Sequence, residues 1–488
     1  MSVHDATTGR ATTGRPAKPG RGFGIALLII AAAQLMLTLD DTIVNVALPS
    51  MQRSLHIATP HLNWVISFYA LAFGGLLLAG GRAGDLFGRL RVFRAGLVVF
   101  TLASMAGGFA PNETVLITAR LVQGCGAALA APCALSLLAT TFPAGPARTR
   151  ALGVYGSMAG LGSVVGLLVG GTLTEYASWR WVLFINAPIA VAALVGTSLG
   201  VLVPGETERG TMDVPGAVTA TGGIAAIIYA LSRGNTNGWS EAGTVTAFGI
   251  GAALLASFVV IERRSRAPML PARVVRDRNR GGANAVMLLC GTGLLAMFYL
   301  LTLYMQVVRG YSALHTGLAY LPFVVGVGVS TGGLAPRLLA ALPARAVIAA
   351  GMLLGAGAMA YVATLLTPSS NYYAVLVPAA VASGLGLGLT FVGSTSTGML
   401  GVAPRDSGVA AGLLNTSLQV GGALGLGVLA AIASAVTRSQ LPGHAQAVAL
   451  TNGYAAGLLA GAIIYATGAI IAVLTIRARL TAADLAEH

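Results

Sequence analysis

The sequence predicts an all-α integral membrane protein with fourteen transmembrane helices and both termini in the cytoplasm. Three observations lead there. Apolar residues fill 56% of the 488 positions and charged residues only 9%, where a soluble globular domain carries roughly 25% charged residues. The apolar residues gather into runs of about 20, the length that crosses a hydrocarbon core. The arginines and the single lysine, Lys18, fall between those runs and mostly on one side, as the positive-inside rule requires.

Taken in order, residues 1–22 form a polar tail rich in Gly, Thr, Arg and Pro. No small-residue cleavage site follows the first apolar run, so this stretch reads as a disordered cytoplasmic tail rather than a signal peptide. Six spans fill 23–202, near 23–47, 61–81, 92–110, 113–136, 151–173 and 179–202. An inserted segment, 203–282, carries two more, 215–233 and 242–261, with flanking cytoplasmic loops. Six further spans fill 283–476, near 283–307, 316–336, 346–366, 372–398, 408–436 and 453–476, and 477–488 is a second cytoplasmic tail. This count leaves only Arg53, Arg180, Arg233, Arg309 and Arg438 outside, with Arg120 inside the membrane. Twelve spans preserve the same partition if 215–233 and 242–261 form a re-entrant hairpin; fourteen is preferred.

The chain repeats itself weakly. Aligning Arg150-Ala-Leu-Gly153 with Arg405-Asp-Ser-Gly408 brings Gly166 onto Gly421 and Gly170 onto Gly425. GGRAGDLFGRLRV at 80–92 faces GGLAPRLLAALPARAV at 332–347, where the acid and the second glycine are lost. Such internal symmetry marks transporters that rock two halves about a midplane site. The organisation predicted is six helices, a two-helix insert and six more.

Several function classes drop out. The net charge of +14 sits in short clusters between apolar runs, with no basic face and no interleaved aromatics, so nucleic acid is not a partner. Cys125, Cys133 and Cys290 lie inside apolar runs and the six histidines show no ligand spacing, which leaves no metal site and no disulfide framework. No nucleophile–base set, phosphate-binding loop or His-Glu-x-x-His motif occurs, so the chain is not read as an enzyme or an ATP-driven pump.

Ionisable groups inside a membrane are costly and mark function. Of the fifteen acids only Asp40 and Asp41 sit well inside a span, and Arg120 is the intramembrane cation. At 100° per residue, Gln34, Thr38, Asp41 and Asn45 share one stripe of the first helix, while Asp40 points about 130° away. Asp41 is therefore expected to line a cavity and Asp40 to face a neighbouring helix, such as the one bearing Arg120. Spacing alone leaves open which acid carries a proton. Asn45, Trp64, Tyr69, Tyr304, Gln306, Asn415 and Gln419 are candidates for substrate contact, and each serves equally well as an interhelical hydrogen-bonding group. With one or two carboxylates and no acid in the span 316–336, such a cavity suits neutral or singly cationic amphiphiles.

These residues resemble a family: the fourteen-helix drug:proton antiporters of the major facilitator superfamily. LDDTIVNVALP at 39–49 is similar to that family's first-helix signature, in which the first aspartate, here Asp40, is characteristic. GGRAGDLFGRLRV resembles the superfamily loop motif, and RLVQGCGAA at 120–128 the fourth-helix motif with its arginine. GSVVGLLVGG at 162–171 resembles the fifth-helix antiporter motif, with Leu167 where the family usually has proline, and SWRWVLFINAPI at 178–189 the segment after it. LYMQVVRGYSALHTGLAYLPF at 303–323 and SGVAAGLLNTSLQVGGALG at 407–425 extend the match into the second half.

The resemblance implies a major facilitator fold in the bacterial inner membrane. It implies a monomer that exports amphiphilic antibiotics, dyes or antiseptics by alternating access, with the proton motive force in place of a cofactor. Asp40, Asp41 and Arg120 would couple protons. Gly81 and Gly88 would bracket a tight turn, and Asp85, Arg89 and Arg91 would form a charge network that latches one conformation. Gly162, Gly166, Gly170 and Gly171 would form a flat groove for another helix, which any small-residue packing seam also provides. The alternative is a dedicated exporter of one endogenous metabolite, such as a self-made antibiotic.

Overall fold

A computed structural model describes residues 21–58, 61–142, 146–203, 213–265, 277–402, 407–441 and 443–478, all helices and connections with no strand among them. The two predicted tails and the arginine-rich stretch 266–276 thus fall almost wholly outside the described residues. The first part of the chain comprises α1 (Arg21–Leu55), α2 (Trp64–Phe87), α3 (Arg89–Gly108), α4 (Glu113–Thr141) and α5 (Pro146–Tyr176). The short pair α6 (Trp181–Phe184) and α7 (Asn186–Thr197) follows, and then a hairpin of α8 (Val214–Asn237) and α9 (Ala242–Arg264).

Next comes α10 (Arg278–Leu303), which continues into a π turn at Tyr304–Val308. A broken helix is built from α11 (Ala313–Ala319), α12 (Leu321–Val329), a π turn at Ser330–Leu334 and α13 (Ala335–Ala341). The chain closes with α14 (Ala344–Leu365), a π turn at Tyr372–Leu376 that opens α15 (Val377–Met399), α16 (Ser407–Gln440) and α17 (Gln446–Thr475). Among the described residues, eleven helices are long and apolar enough to cross a membrane, twelve when the bent α2 counts as one span. Trp181–Thr197 adds a shorter apolar stretch.

Small polar side chains set the helix starts by accepting orphan backbone N–H groups. Asn112 takes the Val115 N–H, Asp277 the Arg280 N–H and Ser312 the His315 N–H, at 3.0, 2.9 and 3.2 Å. Gly88, at φ 96°, lets α2 turn directly into α3, a conformation a Cβ would strain.

Glycines decide which helices touch. A Cβ at Gly162 would lie 2.8 Å from Thr38 Cβ, one at Gly170 2.7 Å from Ile43 Cγ1, and one at Gly166 would strike the Thr42 hydroxyl. The backbone of α5 thus lies directly against α1. The same arrangement recurs later, where Gly421 and Gly425 of α16 seat against Leu288 and Thr292 of α10. The packings of α3 on α4 and of α2 on α4 are matched by those of α14 and α12 on α15. The largest pairings that join the first set of helices to the second are α2 with α16 and α5 with α11. The α8–α9 hairpin leans on that seam, where Ala70 and Leu71 of α2 meet Ile228 of α8 and Ala423 of α16.

Candidate functional site

Five helices converge on one carboxylate. Asp40 of α1 is 0% exposed and Arg120 of α4 is 1% exposed. Arg120 Nη1 donates to Asp40 Oδ2 at 2.6 Å. The other oxygen, Oδ1, accepts from Gln123 Nε2 on α4 and from Asn186 Nδ2 on α7, both at 2.8 Å. Arg120 also donates locally, from Nε to the Val65 carbonyl at 3.1 Å and from Nη1 to Gln123 Oε1 at 2.8 Å. Its guanidinium stacks 4.2 Å over the Tyr69 ring, a favourable position for a cation on an aromatic face. A buried ion pair recovers its desolvation cost only when spare lone pairs and protons are also bonded; here Gln123, Asn186 and the Val65 carbonyl supply four such bonds.

Asp41, the next residue, faces elsewhere. It is partly exposed on the stripe with Gln34 and Thr38, and Gln419 of α16 lies near its carboxylate across the seam between the two helix sets. Gln34 Nε2 donates to Thr38 Oγ1 at 3.3 Å and Asn45 Nδ2 to the Asp41 carbonyl at 2.9 Å. The adjacent acids therefore occupy opposite surroundings, one sealed and one on a seam.

The structure scatters the other predicted residues. Tyr69 belongs to the Arg120 cluster. Trp64 stacks on His61 with ring centroids 4.5 Å apart and faces Tyr229 of the hairpin at 6.3 Å, so it packs against the insert. Tyr304 donates its hydroxyl to the Thr367 carbonyl at 2.6 Å. Gln306 donates to the Val46 carbonyl at 2.8 Å, joining the two sets of helices. Asn415 is exposed and bonds back to the Ala411 carbonyl at 3.2 Å. Two residues that the sequence did not single out complete the Asp40 shell. Asn186 lies inside the quoted SWRWVLFINAPI, where it is the uncharged polar group in an apolar run; Ser104 had no signal beyond being a small polar residue in α3.

At the α2–α3 corner Arg89 donates to Asp85 Oδ1 from Nε and Nη2, at 3.1 and 2.9 Å. Arg91 is exposed and lies apart from that pair, because it is two residues further round α3. Gly81 makes no close approach, since a Cβ there would find only Pro132 Cβ at 3.6 Å. The close approaches of this motif belong to Gly80, against the Ala128 carbonyl, and to Gly84, 2.6 Å from Cys133 Sγ. Gly171 abuts Ala313 and Leu314, and Gly317 of α11 seats against the Leu167 carbonyl. Beside them Glu175 accepts the Leu314 N–H at 3.0 Å. No cluster of three His, Cys, Asp or Glu side chains suits a metal among the described residues.

The site is thus a buried arginine–carboxylate centre beside a second carboxylate on a seam between two similarly packed helix sets. The sequence profile of the Major Facilitator Superfamily matches residues 30–426. The chain belongs to that superfamily. It is a multi-pass transporter of the bacterial inner membrane. It is 40% identical over 475 residues to the puromycin resistance protein pur8 of Streptomyces alboniger, covering 96% of this chain and 93% of that one. It is also 40% identical over 432 residues to the cephamycin export protein CmcT of Amycolatopsis lactamdurans, covering 88% of each. The fold matches a bacterial homologue of the lysosomal transporter Spinster, solved inward-facing and unoccupied, with TM-score 0.66 and 17% identity over 94% of this chain and 98% of that one.

Proposed function

We propose that this transporter is a proton-driven antiporter that exports amphiphilic organic compounds by alternating access and so confers resistance to them. The carrying observation is the fully buried Asp40–Arg120 pair with Asp41 next to it on the seam. Few other groups in the spans can hold a transported proton. Each proton moved inward gains roughly 2.3 kcal/mol per 100 mV, worth about a fifty-fold concentration ratio. Protonation of the first-helix acids in the outward state favours the return inward. Release of that proton to the cytoplasm lets the next substrate compete for the cavity. The chain works as a monomer and takes no cofactor.

The topology proposed is fourteen spans with cytoplasmic termini. α5 (31 residues) and the α6–α7 unit join the apolar helices already counted, and 203–282 forms the insert between halves at 23–202 and 283–476. On this topology, Gln306–Val46 and Leu314–Glu175 tie the halves at the outer end, which supports an inward-facing state. Asp85–Arg89 then sits on the cytoplasmic rim as a latch.

A second reading, a dedicated exporter of one self-made antibiotic, is favoured by relatives named for puromycin and for cephamycin. A susceptibility panel in an efflux-deficient host separates the two: broad protection marks the first, protection from one compound the second. For the antiport itself, uptake of puromycin or ethidium into inverted vesicles should release protons and stop when voltage and pH gradients are both collapsed. Undiminished transport after that collapse overturns the reading.

A further inference from the structure

We infer that Asp41, not Asp40, is the group that takes up and gives up the coupling proton, and that Asp40 is the fixed counter-ion of Arg120. The inference rests on the antiporter reading and deepens it. It follows from the direction of a hydrogen-bond chain that ends on a backbone carbonyl. Ser104 donates its hydroxyl proton to the Leu183 carbonyl at 2.8 Å, and a carbonyl only accepts. The Ser104 oxygen is therefore an acceptor, and it receives Asn186 Nδ2 at 3.1 Å and Gln123 Nε2 at 3.2 Å. That fixes both amides with their NH2 groups inward, and the same two nitrogens reach Asp40 Oδ1. Arg120 Nη1 holds the other oxygen, and a guanidinium has no acceptor at all. Asp40 therefore meets donors on both oxygens, two on Oδ1 and one on Oδ2, which leaves an added proton only the second lone pair of Oδ2, on the oxygen that faces the Arg120 cation. Turning the Asn186 amide over to receive it would strip Ser104 of a donor it shares with Gln123.

Asp41 has none of these constraints. It is partly exposed, and Gln419 from the opposite half can present either NH2 to a carboxylate or C=O to a carboxylic acid by turning over. The titratable and charged groups near it are Asp40 on its own helix, Arg120 from α4 and the Tyr69 phenol from α2. α5 meets this stretch with Gly162 and Gly166, and α7 brings the Asn186 amide. α10 has its arginines in its first turn and turns Cys290 to Tyr465. His315 of α11 stacks on Tyr311 with ring centroids 4.0 Å apart. A single O–H bond forms at Asp41 from an outer-side proton and breaks toward the cytoplasm, with no other co-reactant.

Infrared difference spectroscopy on the full chain in nanodiscs, stepped from alkaline to acid buffer, reads protonated carboxyl groups without any ligand. The wild type should gain one carboxylic acid C=O band that Asp41→Asn removes and Asp41→Glu moves in frequency. Ser104→Ala, which frees the Asn186 amide to turn, should add a second band. In proteoliposomes with puromycin as the probe, Asp41→Asn should keep substrate-for-substrate exchange and lose accumulation driven by a pH gradient. A band of wild-type amplitude in Asp41→Asn, or an unmoved band in Asp41→Glu, overturns the assignment. A wild type that gains the band yet accumulates neither puromycin nor ethidium counts against the antiporter reading instead.

Discussion

The two sets of helices, α1–α7 and α10–α17, share a packing skeleton and differ in what it encloses. Gly166 and Gly170 press α5 on α1 as Gly421 and Gly425 press α16 on α10. In the first set the enclosed polar groups include an ion pair, Asp40 with Arg120, tied into a network with the neutral side chains of Gln123, Asn186 and Ser104. In the second set Ser330, Thr390, Ser394 and Thr397 are fully buried, carry no charge, and their hydroxyls have no protein partner. The repeat is thus a matter of small residues that let backbones approach, and the chemistry lies in what departs from the repeat, as expected when sites are grafted onto folds.

The comparison breaks first if the skeleton is not shared. Gly166→Leu and Gly421→Leu should both abolish a monodisperse peak in size-exclusion of the detergent-extracted chain, since each side chain would have to displace backbone at a cost above about 3 kcal/mol. A normal peak for one of them would mean that only one half depends on its glycine seam. The polar contrast comes next. Arg120→Leu leaves Asp40 buried and unpaired and should cost roughly 3–5 kcal/mol, read as a clear fall in thermal unfolding temperature together with loss of transport. Replacing both partners, Asp40→Leu with Arg120→Leu, should recover much of the stability and none of the transport. Thr390→Val, by contrast, removes a buried hydroxyl that has no partner and should be neutral or stabilising by up to about 1 kcal/mol. A large loss there would reveal a polar role in the second half.

Much of this was legible in the sequence for a physical reason: bilayer length and charge cost act on runs of residues, which one chain displays directly. The acids in the first span, Arg120 and the glycine edges of α5 and α16 are local patterns of that kind, and helical angle alone separated Asp40 from Asp41. The shell around Asp40 was less legible. Ser104 and Asn186 come from 64 and 146 residues away, and nothing in an apolar helix announces which small polar side chain will meet another helix. Spacing cannot tell which of several glycines in GGRAGDLFG faces α4; Gly80 and Gly84 do. An aromatic residue inside a span looks the same in sequence whether it faces a cavity, an insert, as Trp64 does, or a loop carbonyl, as Tyr304 does.

The α8–α9 hairpin has no counterpart in either half, and it supplies the smallest expected effect. Arg233 donates from Nε and Nη2 to the two Glu241 oxygens at 2.9 and 3.1 Å across the Gly238 turn. Glu241 also caps α9 through the Thr244 N–H at 2.9 Å. The Arg233 hydrogen bonds hold the Glu241 carboxyl down, from an ordinary 4.5 to about 2, and the pairing raises Arg233 in return. A carboxyl held down in the fold contributes its stability in full above the unfolded value near 4.5 and loses it as pH falls through about 2. The turn at 238–244 should therefore keep its hydrogen-exchange protection through mild acidification, and Glu241→Gln should lower that protection at neutral pH while removing its dependence on pH. Because the pair is solvent-facing, the change should stay confined to the hairpin and leave unfolding of the two halves unmoved. Protection in the wild type that does not change between about pH 5 and pH 2 would show that the clamp does not hold the turn, and that the insert is kept in place by its apolar contacts with α2 and α16 alone.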